Sequence, residues 1–216
     1  MSSAENNRPM IFFDFDGTII DMTERWWQLH LDVAKVLKLP QYEQRADYIF
    51  QKRNGVPEIS IMQKIAGNIE TIKDYEQERV RRIELPEYLL YDKLFFDSIA
   101  TLRTLGRQGH ALVIITKRRS QEAFNQQLNQ LGLQTYFQNV LVAEGISKQI
   151  LLAQNYTADE LKQSMFVSDN MEDIEIAWKF GMLDIAAGYG CRTSEFLASS
   201  GAKNIISSLA DVLSYV

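Results

Sequence analysis

The stretch MIFFDFDGTIID, Met10–Asp21, carries an apolar run that ends in two aspartates separated by one phenylalanine. Side chains two positions apart in a strand point the same way, so Asp14 and Asp16 repel each other unless a cation, a proton or a tight turn separates them. Gly17 follows at once and permits such a turn. The stretch therefore predicts a buried strand followed by an acidic loop.

Apolar runs of the same kind recur later in the chain, each ending in a small or polar residue. They are continuous rather than alternating, which predicts strands covered on both faces, as in a parallel sheet. Helical patterns with cap residues separate them. The predicted strands lie at 10–14, 111–116, 140–144, 165–169 and 183–188, and the predicted helices at 120–131, at 148–154, from Thr157 and at 173–180. This alternation predicts a doubly wound, Rossmann-like α/β core.

The first predicted strand is separated from the second by roughly a hundred residues, far more than one crossover helix needs. From Thr23 to Tyr91 the pattern is amphipathic and helical, with breaks at Pro40, at 54–57 and near Pro86. We therefore predict two domains. Residues 1–20 and 93–216 form the α/β core, and residues 21–92 form a helical cap domain inserted between the first two strands.

The composition of the 216 residues limits the classes of function. An apolar content of 46% is ordinary for a globular protein, and a net charge of −5 argues against a nucleic-acid or anionic-membrane binder. Cys191 is the only cysteine, so neither an intramolecular disulfide nor a cysteine-based zinc site is expected. The first nine residues lack the apolar core of a signal peptide, and no run is long enough to cross a bilayer. These features predict a cytoplasmic protein and leave monomer and homodimer both open.

Polar residues stand where the predicted strands end, which is where open parallel sheets bind their ligands. The candidates are Asp14, Asp16, Thr116, Lys148, Ser168, Asp169 and Asp173. Several carboxylates in one cleft destabilise each other unless a hard cation lies among them, and an all-oxygen set suits Mg²⁺. A magnesium ion, an ammonium and a hydroxyl neutralise and orient a phosphoryl group. One aspartate can then attack phosphorus, while the other protonates the leaving oxygen and activates water.

The order of these residues resembles the four motifs of the haloacid dehalogenase-like superfamily. The matching segments are DFDGT at 14–18, VIIT at 113–116, SK at 147–148 and VSDNMED at 167–173. The similar branch is that of the phosphoglycolate-phosphatase-like hydrolases with a helical C1-type cap. The segment 188–213 also resembles the last strand and tail of that branch, so the resemblance spans nearly the whole chain.

The resemblance implies a role for each matched residue. Asp14 would be the nucleophile and a metal ligand, and Asp16 would be the general acid and base, with its backbone carbonyl on Mg²⁺. Thr116 would bind the phosphate, and Lys148 would neutralise the charge of nucleophile and phosphate. An aspartate at position 16 favours phosphoryl transfer over dehalogenation.

The fourth motif supplies Asp169 as a metal ligand and Asp173 as its support, directly or through water. Three positions depart from the family pattern. Ser168 stands where members usually carry Gly, Asn170 where a small hydroxyl residue is commoner, and Lys117 where the family often has Asn. These departures remove no ligand, but they bear on the geometry of the phosphate pocket.

The resulting prediction is a Mg²⁺-dependent phosphatase that hydrolyses a small phosphorylated metabolite through an aspartyl phosphate. The predicted substrate-binding residues are Thr116, Lys117, Lys148 and Arg53. Arg53 is included because it lies in a turn between two predicted helices, where a guanidinium suits an anion. A phosphomutase of the same fold and a catalytically silent phosphate- or metal-binding regulatory protein are the alternatives.

Other folds explain parts of this pattern. A calcium loop with Gly17 at its sixth position would begin at Phe12 and end at Thr23, so it would lack its first carboxylate and its bidentate glutamate. A receiver domain has an adjacent acid pair and needs no inserted domain. Taken alone, Thr116 is also typical of a helix N-cap, and Asp173 of a carboxylate at a helix N-terminus.

Overall fold

The computed structural model describes residues 8–66 and 69–216. Residues 1–7, for which no signal peptide is predicted, and residues 67–68, inside the predicted helical segment, lie outside these ranges. The strands are β1 (Ile11–Phe13), β2 (Ile20–Asp21), β3 (Lys93–Leu94), β4 (Leu112–Thr116), β5 (Asn139–Val142), β6 (Met165–Ser168), β7 (Leu183–Ala187) and β8 (Ile205–Ile206). The α-helices are α1 (Thr23–Val36), α2 (Arg45–Arg53), α3 (Glu58–Ala66), α4 (Ile69–Arg82), α5 (Pro86–Leu89), α6 (Ser98–Arg107), α7 (Gln121–Gln130), α8 (Lys148–Asn155), α9 (Ala158–Lys162), α10 (Met171–Phe180) and α11 (Ser194–Ser199), and a 3₁₀ helix spans Leu209–Tyr215. None of the described helices is long and apolar enough to cross a membrane.

Six strands form one parallel sheet in the order β5-β4-β1-β6-β7-β8. Strand β1 lies in the middle, where Ile11 is in register with Leu112 of β4 and with Met165 of β6. Helices connect the parallel strands and cover the sheet on both faces. The predicted doubly wound α/β fold is confirmed.

The uninterrupted apolar run of β1 follows from this central position. Ile11 and Phe13 pack into the core on one face of the sheet, whereas Phe12 points to the other face, because successive side chains of a strand alternate. All three side chains are fully buried. A strand with one solvated face would alternate apolar and polar residues, so the pattern and the burial agree.

The described part of the segment between β2 and β3 is mainly helical, and the ends of three of its helices lie at the predicted prolines and turn. Helix α1 ends at Val36, ahead of Pro40, and α2 ends at Arg53. Pro86 begins α5, a position where its missing N–H costs no hydrogen bond. The segment has an apolar cluster of its own, formed by Leu29, Val33, Ala34, Met62, Ile72, Tyr75 and Tyr88.

Strands β2 and β3 join the two ends of this helical segment. They pair antiparallel, with Ile20 opposite Leu94 and Asp21 opposite Lys93. Each contains only two residues, too few to produce a periodic signal, so the sequence did not predict them. Helix α6 was not predicted either, although its buried residues Leu102 and Leu105 recur at helical spacing.

Candidate active site

A cavity of about 190 Å³ lies at the carboxyl end of the parallel sheet. Its walls come from the loops after β1, β6 and β7, from the end of β4, and from the first turns of α1 and α8. The lining residues are Asp14, Asp16, Met22, Trp26, Thr116, Lys117, Lys148, Asp169, Asn170, Cys191 and Arg192. Most of the predicted site residues therefore meet in one cavity, and the exceptions are Ser168, Asp173 and Arg53.

Lys148 is buried between two carboxylates. Its Nζ donates hydrogen bonds to Asp14 Oδ1 at 2.7 Å and to Asp173 Oδ2 at 2.6 Å. Burial would lower the pKa of Lys148, but the two carboxylates outweigh it and raise that pKa. Burial raises the pKa of Asp14 to about 7, against the attraction of Lys148. Asp14 therefore changes charge near neutral pH, while the ammonium beside it stays protonated.

The two departures in the fourth motif support this arrangement. The hydroxyl of Ser168 donates to Asp173 Oδ2 at 2.7 Å and accepts from the backbone N–H of Asn170 at 3.1 Å. The side chain of Asn170 caps α10 by accepting from the N–H of Glu172. Asp173 lies behind Lys148 rather than on the cavity wall, and it holds that lysine in place.

Asp169 is fixed by hydrogen bonds to two loops. Its Oδ2 accepts from the N–H of Cys191 at 2.7 Å, and its own N–H donates to Thr18 Oγ1 at 3.2 Å. Burial raises the pKa of Asp169 to about 6. The loops after β1 and β7 approach so closely that a Cβ on Gly190 would lie 1.9 Å from the carbonyl oxygen of Gly17. Only glycine at position 190 permits this approach.

Replacing Gly190 with alanine is expected to destabilise the fold by about 1–3 kcal/mol, the usual cost of overpacking, since the contacted atoms are backbone. The same substitution at Gly106, within helix α6, meets nothing within 4 Å and should stabilise by about 0.5–1 kcal/mol through helix propensity. Urea unfolding of both variants measures the difference. Equal stability of the two variants would show that the close approach of the loops after β1 and β7 does not depend on glycine at position 190.

Both carboxylate oxygens of Asp16 are held by arginines. Arg118 donates from Nε to Oδ2 at 2.7 Å and from Nη2 to Oδ1 at 2.8 Å, and Arg25 of helix α1 also donates to Oδ1. Burial alone would raise the pKa of Asp16, but the two guanidinium groups outweigh it and hold that pKa below its usual range. Asp16 is therefore ionised in this arrangement.

The same arginines reach a second buried carboxylate, Asp92, just before β3. Its Oδ1 lies 2.9 Å from Arg25 Nε, but the two groups are not aligned for a hydrogen bond. Its Oδ2 accepts a hydrogen bond from Gln127 at 2.6 Å and lies 3.6 Å from Arg118 Nη2. Two cations and two carboxylates thus form one buried cluster. It joins α1, the segment before β3, the loop after β4 and the loop after β1.

The oxygen atoms of the cavity fit a hard divalent cation. Asp14 and Asp169 are both buried on the cavity wall. In addition to burial, the negative charge of Asp169 raises the pKa of Asp14, and a cation near both carboxylates would offset this repulsion. Among the described residues, no three His, Cys, Asp or Glu side chains form a metal-binding group on their own. The Asp16 side chain is occupied by arginines and that of Asp173 by Lys148. Any contribution of Asp16 would therefore come from its backbone carbonyl, as the family resemblance implies.

The remaining predicted residues differ in placement. Thr116 ends β4, is buried and lines the cavity. Lys117 also lines it, but its ammonium pairs with Glu172 near the surface. Arg53 does not line the cavity, and its Nη2 donates to the carbonyl oxygen of Gly188 at 3.2 Å. Arg53 therefore ties the end of α2 to the loop after β7 instead of facing a substrate.

Sequence reasoning missed four charged residues of the site region. Arg25 and Asp92 carry no local signal, because they meet Asp16 only through the tertiary fold. Arg118 directly follows Lys117 in the chain and carries no separate signal. Arg192 had a usable signal, since it follows the apolar run 183–188 and so lies at the carboxyl end of a strand, where the other candidates were found.

Comparison with known protein families gives one match over most of the chain. The family model described as "Haloacid dehalogenase-like hydrolase" matches residues 11–187. That range begins at β1 and ends at the last residue of β7. It contains every loop that lines the cavity except the one that carries Cys191 and Arg192.

Individual relatives are distant but extend over nearly the full length. The chain is 23% identical over 221 residues to "Probable phosphatase IndB" of Dickeya dadantii (strain 3937), with 95% of this chain and 92% of that protein covered. A solved haloacid dehalogenase-like family protein, SP0104 from Streptococcus pneumoniae, has a TM-score of 0.76 at 19% identity, covering 97% and 98% of the two chains. A structure described as a "predicted phosphoglycolate phosphatase" from Haemophilus somnus 129pt has a TM-score of 0.75 at 20% identity, covering 98% and 99%. These two structures establish a shared fold.

Proposed function

The chain belongs to the haloacid dehalogenase-like hydrolase family, and we propose that it is a Mg²⁺-dependent phosphatase whose nucleophile is Asp14. The observation that carries the proposal is the position of Asp14 on the cavity wall, hydrogen-bonded to Lys148 and facing the same space as Thr116 and Asp169. A carboxylate nucleophile, a fixed cation and a hydroxyl donor are the groups that phosphoryl transfer needs. The similar protein from Dickeya dadantii is itself described as a phosphatase.

In the proposed reaction, a carboxylate oxygen of Asp14 bonds to phosphorus while the bond from phosphorus to the leaving oxygen breaks. The leaving oxygen takes a proton from Asp16 and departs as an alcohol. Water then attacks the aspartyl phosphate and loses its proton to Asp16, which releases inorganic phosphate and restores both aspartates. Throughout the reaction, Lys148 neutralises negative charge on the phosphoryl oxygens, and Thr116 orients them by hydrogen bonding.

Asp16 must break contacts with its arginine partners before it can act in the proposed reaction. Both of its oxygens are bound by arginines, so Asp16 must exchange at least one of these contacts and take up a proton before it can donate that proton to a leaving oxygen. Its ionised form already suits the second half of the reaction, in which it accepts a proton from water. We therefore expect the first half to be fastest for esters with good leaving groups.

Mg²⁺ would be held by the carboxylates of Asp14 and Asp169 together with the backbone carbonyl of Asp16. When bound, it neutralises charge on the phosphoryl group and on the nucleophile. Asp173 would act indirectly, by holding Lys148.

The helical segment, residues 21–92, would act as a cap on the α/β core. Met22 and Trp26 of this segment line the cavity, so movement of α1 would change access to Asp14. A volume of about 190 Å³ is smaller than pockets that enclose drug-sized ligands. The substrate would therefore be a small phosphorylated metabolite.

Phosphate release tests the proposal. The purified protein would be incubated with p-nitrophenyl phosphate and a panel of phosphorylated metabolites, with and without Mg²⁺, and free phosphate would be measured. Turnover that needs Mg²⁺ is the expected result. A phosphorylated product in place of free phosphate would identify a phosphomutase, and no turnover of any ester despite bound Mg²⁺ would contradict enzymatic function.

Mg²⁺ affinity should depend on pH, because the ion and the proton compete for the same carboxylates. The pKa of Asp14 is raised to about 7 in the metal-free protein, so a proton must leave when Mg²⁺ binds below that pH. The dissociation constant should therefore level off above pH 7, rise about tenfold per unit between pH 7 and 6, and rise more steeply below pH 6, where Asp169 also takes up a proton. Calorimetry in two buffers of different ionisation enthalpy measures the released proton. A dissociation constant that is flat from about pH 5.5 to 7.5 would contradict direct ligation by Asp14.

A further inference from the structure

Three cationic side chains line the cavity, and two of them already have carboxylate partners. Lys148 binds Asp14 and Asp173, and Lys117 pairs with Glu172. In the described part of the chain, no carboxylate lies within ion-pair distance of the Arg192 guanidinium. Its charge lowers the pKa of Asp169 without touching it, against the larger effect of burial. Arg192 is thus a cavity cation that the proposed mechanism does not use.

The guanidinium of Arg192 is nevertheless held in a fixed place. Its Nη1 donates to the carbonyl oxygen of Cys191 at 3.0 Å and to that of Lys52, at the end of α2, at 3.2 Å. Its central carbon lies 5.7 Å from the ring centre of Phe196. Nε and Nη2 have no partner among the described residues and are not enclosed by protein. Arg192 is therefore preorganised where the helical segment meets the core, with donors still available.

Such a guanidinium suits a second anion beside the reacting phosphate. Arginine offers parallel N–H donors that match a carboxylate or a phosphate, and a donor already held in position loses less entropy on binding. The small volume of the cavity places the second anion only a few atoms from phosphorus. We propose that Arg192 is a specificity-determining residue that binds a second anionic group of the substrate, a carboxylate or a second phosphate. This inference rests on the proposed phosphatase function.

Binding of phosphonates tests the role of Arg192 without requiring turnover. Three probes share a three-carbon chain: 3-phosphonopropionate, propane-1,3-bisphosphonate and 3-hydroxypropylphosphonate. Calorimetry with the Mg²⁺-loaded protein should show one or both of the first two binding about 10- to 100-fold more tightly than the hydroxyl analogue. Tighter binding of the first identifies a carboxylate as the second anion, and tighter binding of the second identifies a phosphate.

The substitution Arg192→Gln should remove this preference and change the affinity for the hydroxyl analogue by less than about twofold. Arg192→Lys keeps the charge but not the paired donors, so it should retain part of the preference. Lys203→Gln, at an exposed site before β8, makes the same change in net charge and should leave all three affinities unaltered. If Arg192→Gln does not fold, the wild-type preference and the Arg192→Lys variant decide the question.

Two results would overturn the role of Arg192: equal binding of all three probes by the wild-type protein, or an equal loss for all three in the variant. The outcome is separate from that of the proposed function. A protein that shows the preference but hydrolyses no ester would refute the phosphatase alone, whereas Mg²⁺-dependent hydrolysis without the preference would refute the role of Arg192 alone.

Discussion

Replacing Asp14 with asparagine is expected to lower Mg²⁺-dependent phosphate release by at least about 1000-fold, because the amide is not a nucleophile toward phosphorus. The change is nearly isosteric, and Lys148 keeps its second partner Asp173. The loss should therefore reflect chemistry rather than unfolding. Initial rates of phosphate release measure it.

A control and a direct readout accompany this variant. Asp74→Asn makes the same chemical change at an exposed position in α4 and should leave the rate unaltered. Acid-quenched wild-type protein should contain a fraction whose mass is increased by one phosphoryl group, and the Asp14→Asn protein should contain none. Phosphoryl transfer that persists in the variant would mean that another residue, or water itself, attacks phosphorus.

Replacing Lys148 with methionine is expected to destabilise the metal-free protein by about 3–5 kcal/mol and to abolish turnover. Methionine keeps most of the side-chain volume, but it leaves Asp14 and Asp173 buried without their shared cation. Urea unfolding measures the stability. Lys73→Met, at an exposed position in α4, should change the free energy of unfolding little.

The loss caused by Lys148→Met should depend on pH in a definite direction. The folded-state pKa of Asp14 already exceeds its ordinary value of 3.8, and removal of the ammonium raises it further. The folded protein then binds a proton more tightly than the unfolded chain, so its stability increases as the pH falls from the folded-state pKa toward 3.8. Below about pH 7 Asp14 is protonated in both proteins, so the deficit should be smaller and nearly constant there, and it should grow as the pH rises above 7, where only wild-type Asp14 ionises. A deficit that is independent of pH would show that lost packing, and not unpaired charge, dominates.

Prediction from the sequence worked best where one physical cause determined the pattern. The strands of the large sheet produce continuous apolar runs because both of their faces are buried. The polar residues at the carboxyl ends of β1, β4 and β6 meet because parallel strands end at the same edge of the sheet. This reasoning placed Asp14, Thr116 and Asp169 in advance. The family expected from the motifs was also confirmed.

The partners of Asp16 show where such reasoning stops. Arg25 is one of many charged residues on an amphipathic helix, and nothing in its neighbourhood shows that it is 1% exposed. Its partner Asp92 lies 67 residues further along the chain, so their contact depends on how the helical segment returns to the core. The turn position of Arg53 likewise gave no sign that its guanidinium contacts the backbone carbonyl oxygens of Gly188 and Arg192.

The central position of β1 also has a consequence for biosynthesis. This strand leaves the ribosome well before its neighbours β4 and β6, which begin at Leu112 and Met165. Until those segments emerge, the apolar residues of β1 and the acidic loop after it have neither sheet partners nor Lys148. Folds that depend on such distant contacts form slowly and expose apolar surface on the way. The nascent chain is therefore expected to stay incompletely folded until β6 is made, and to need protection from aggregation during that interval.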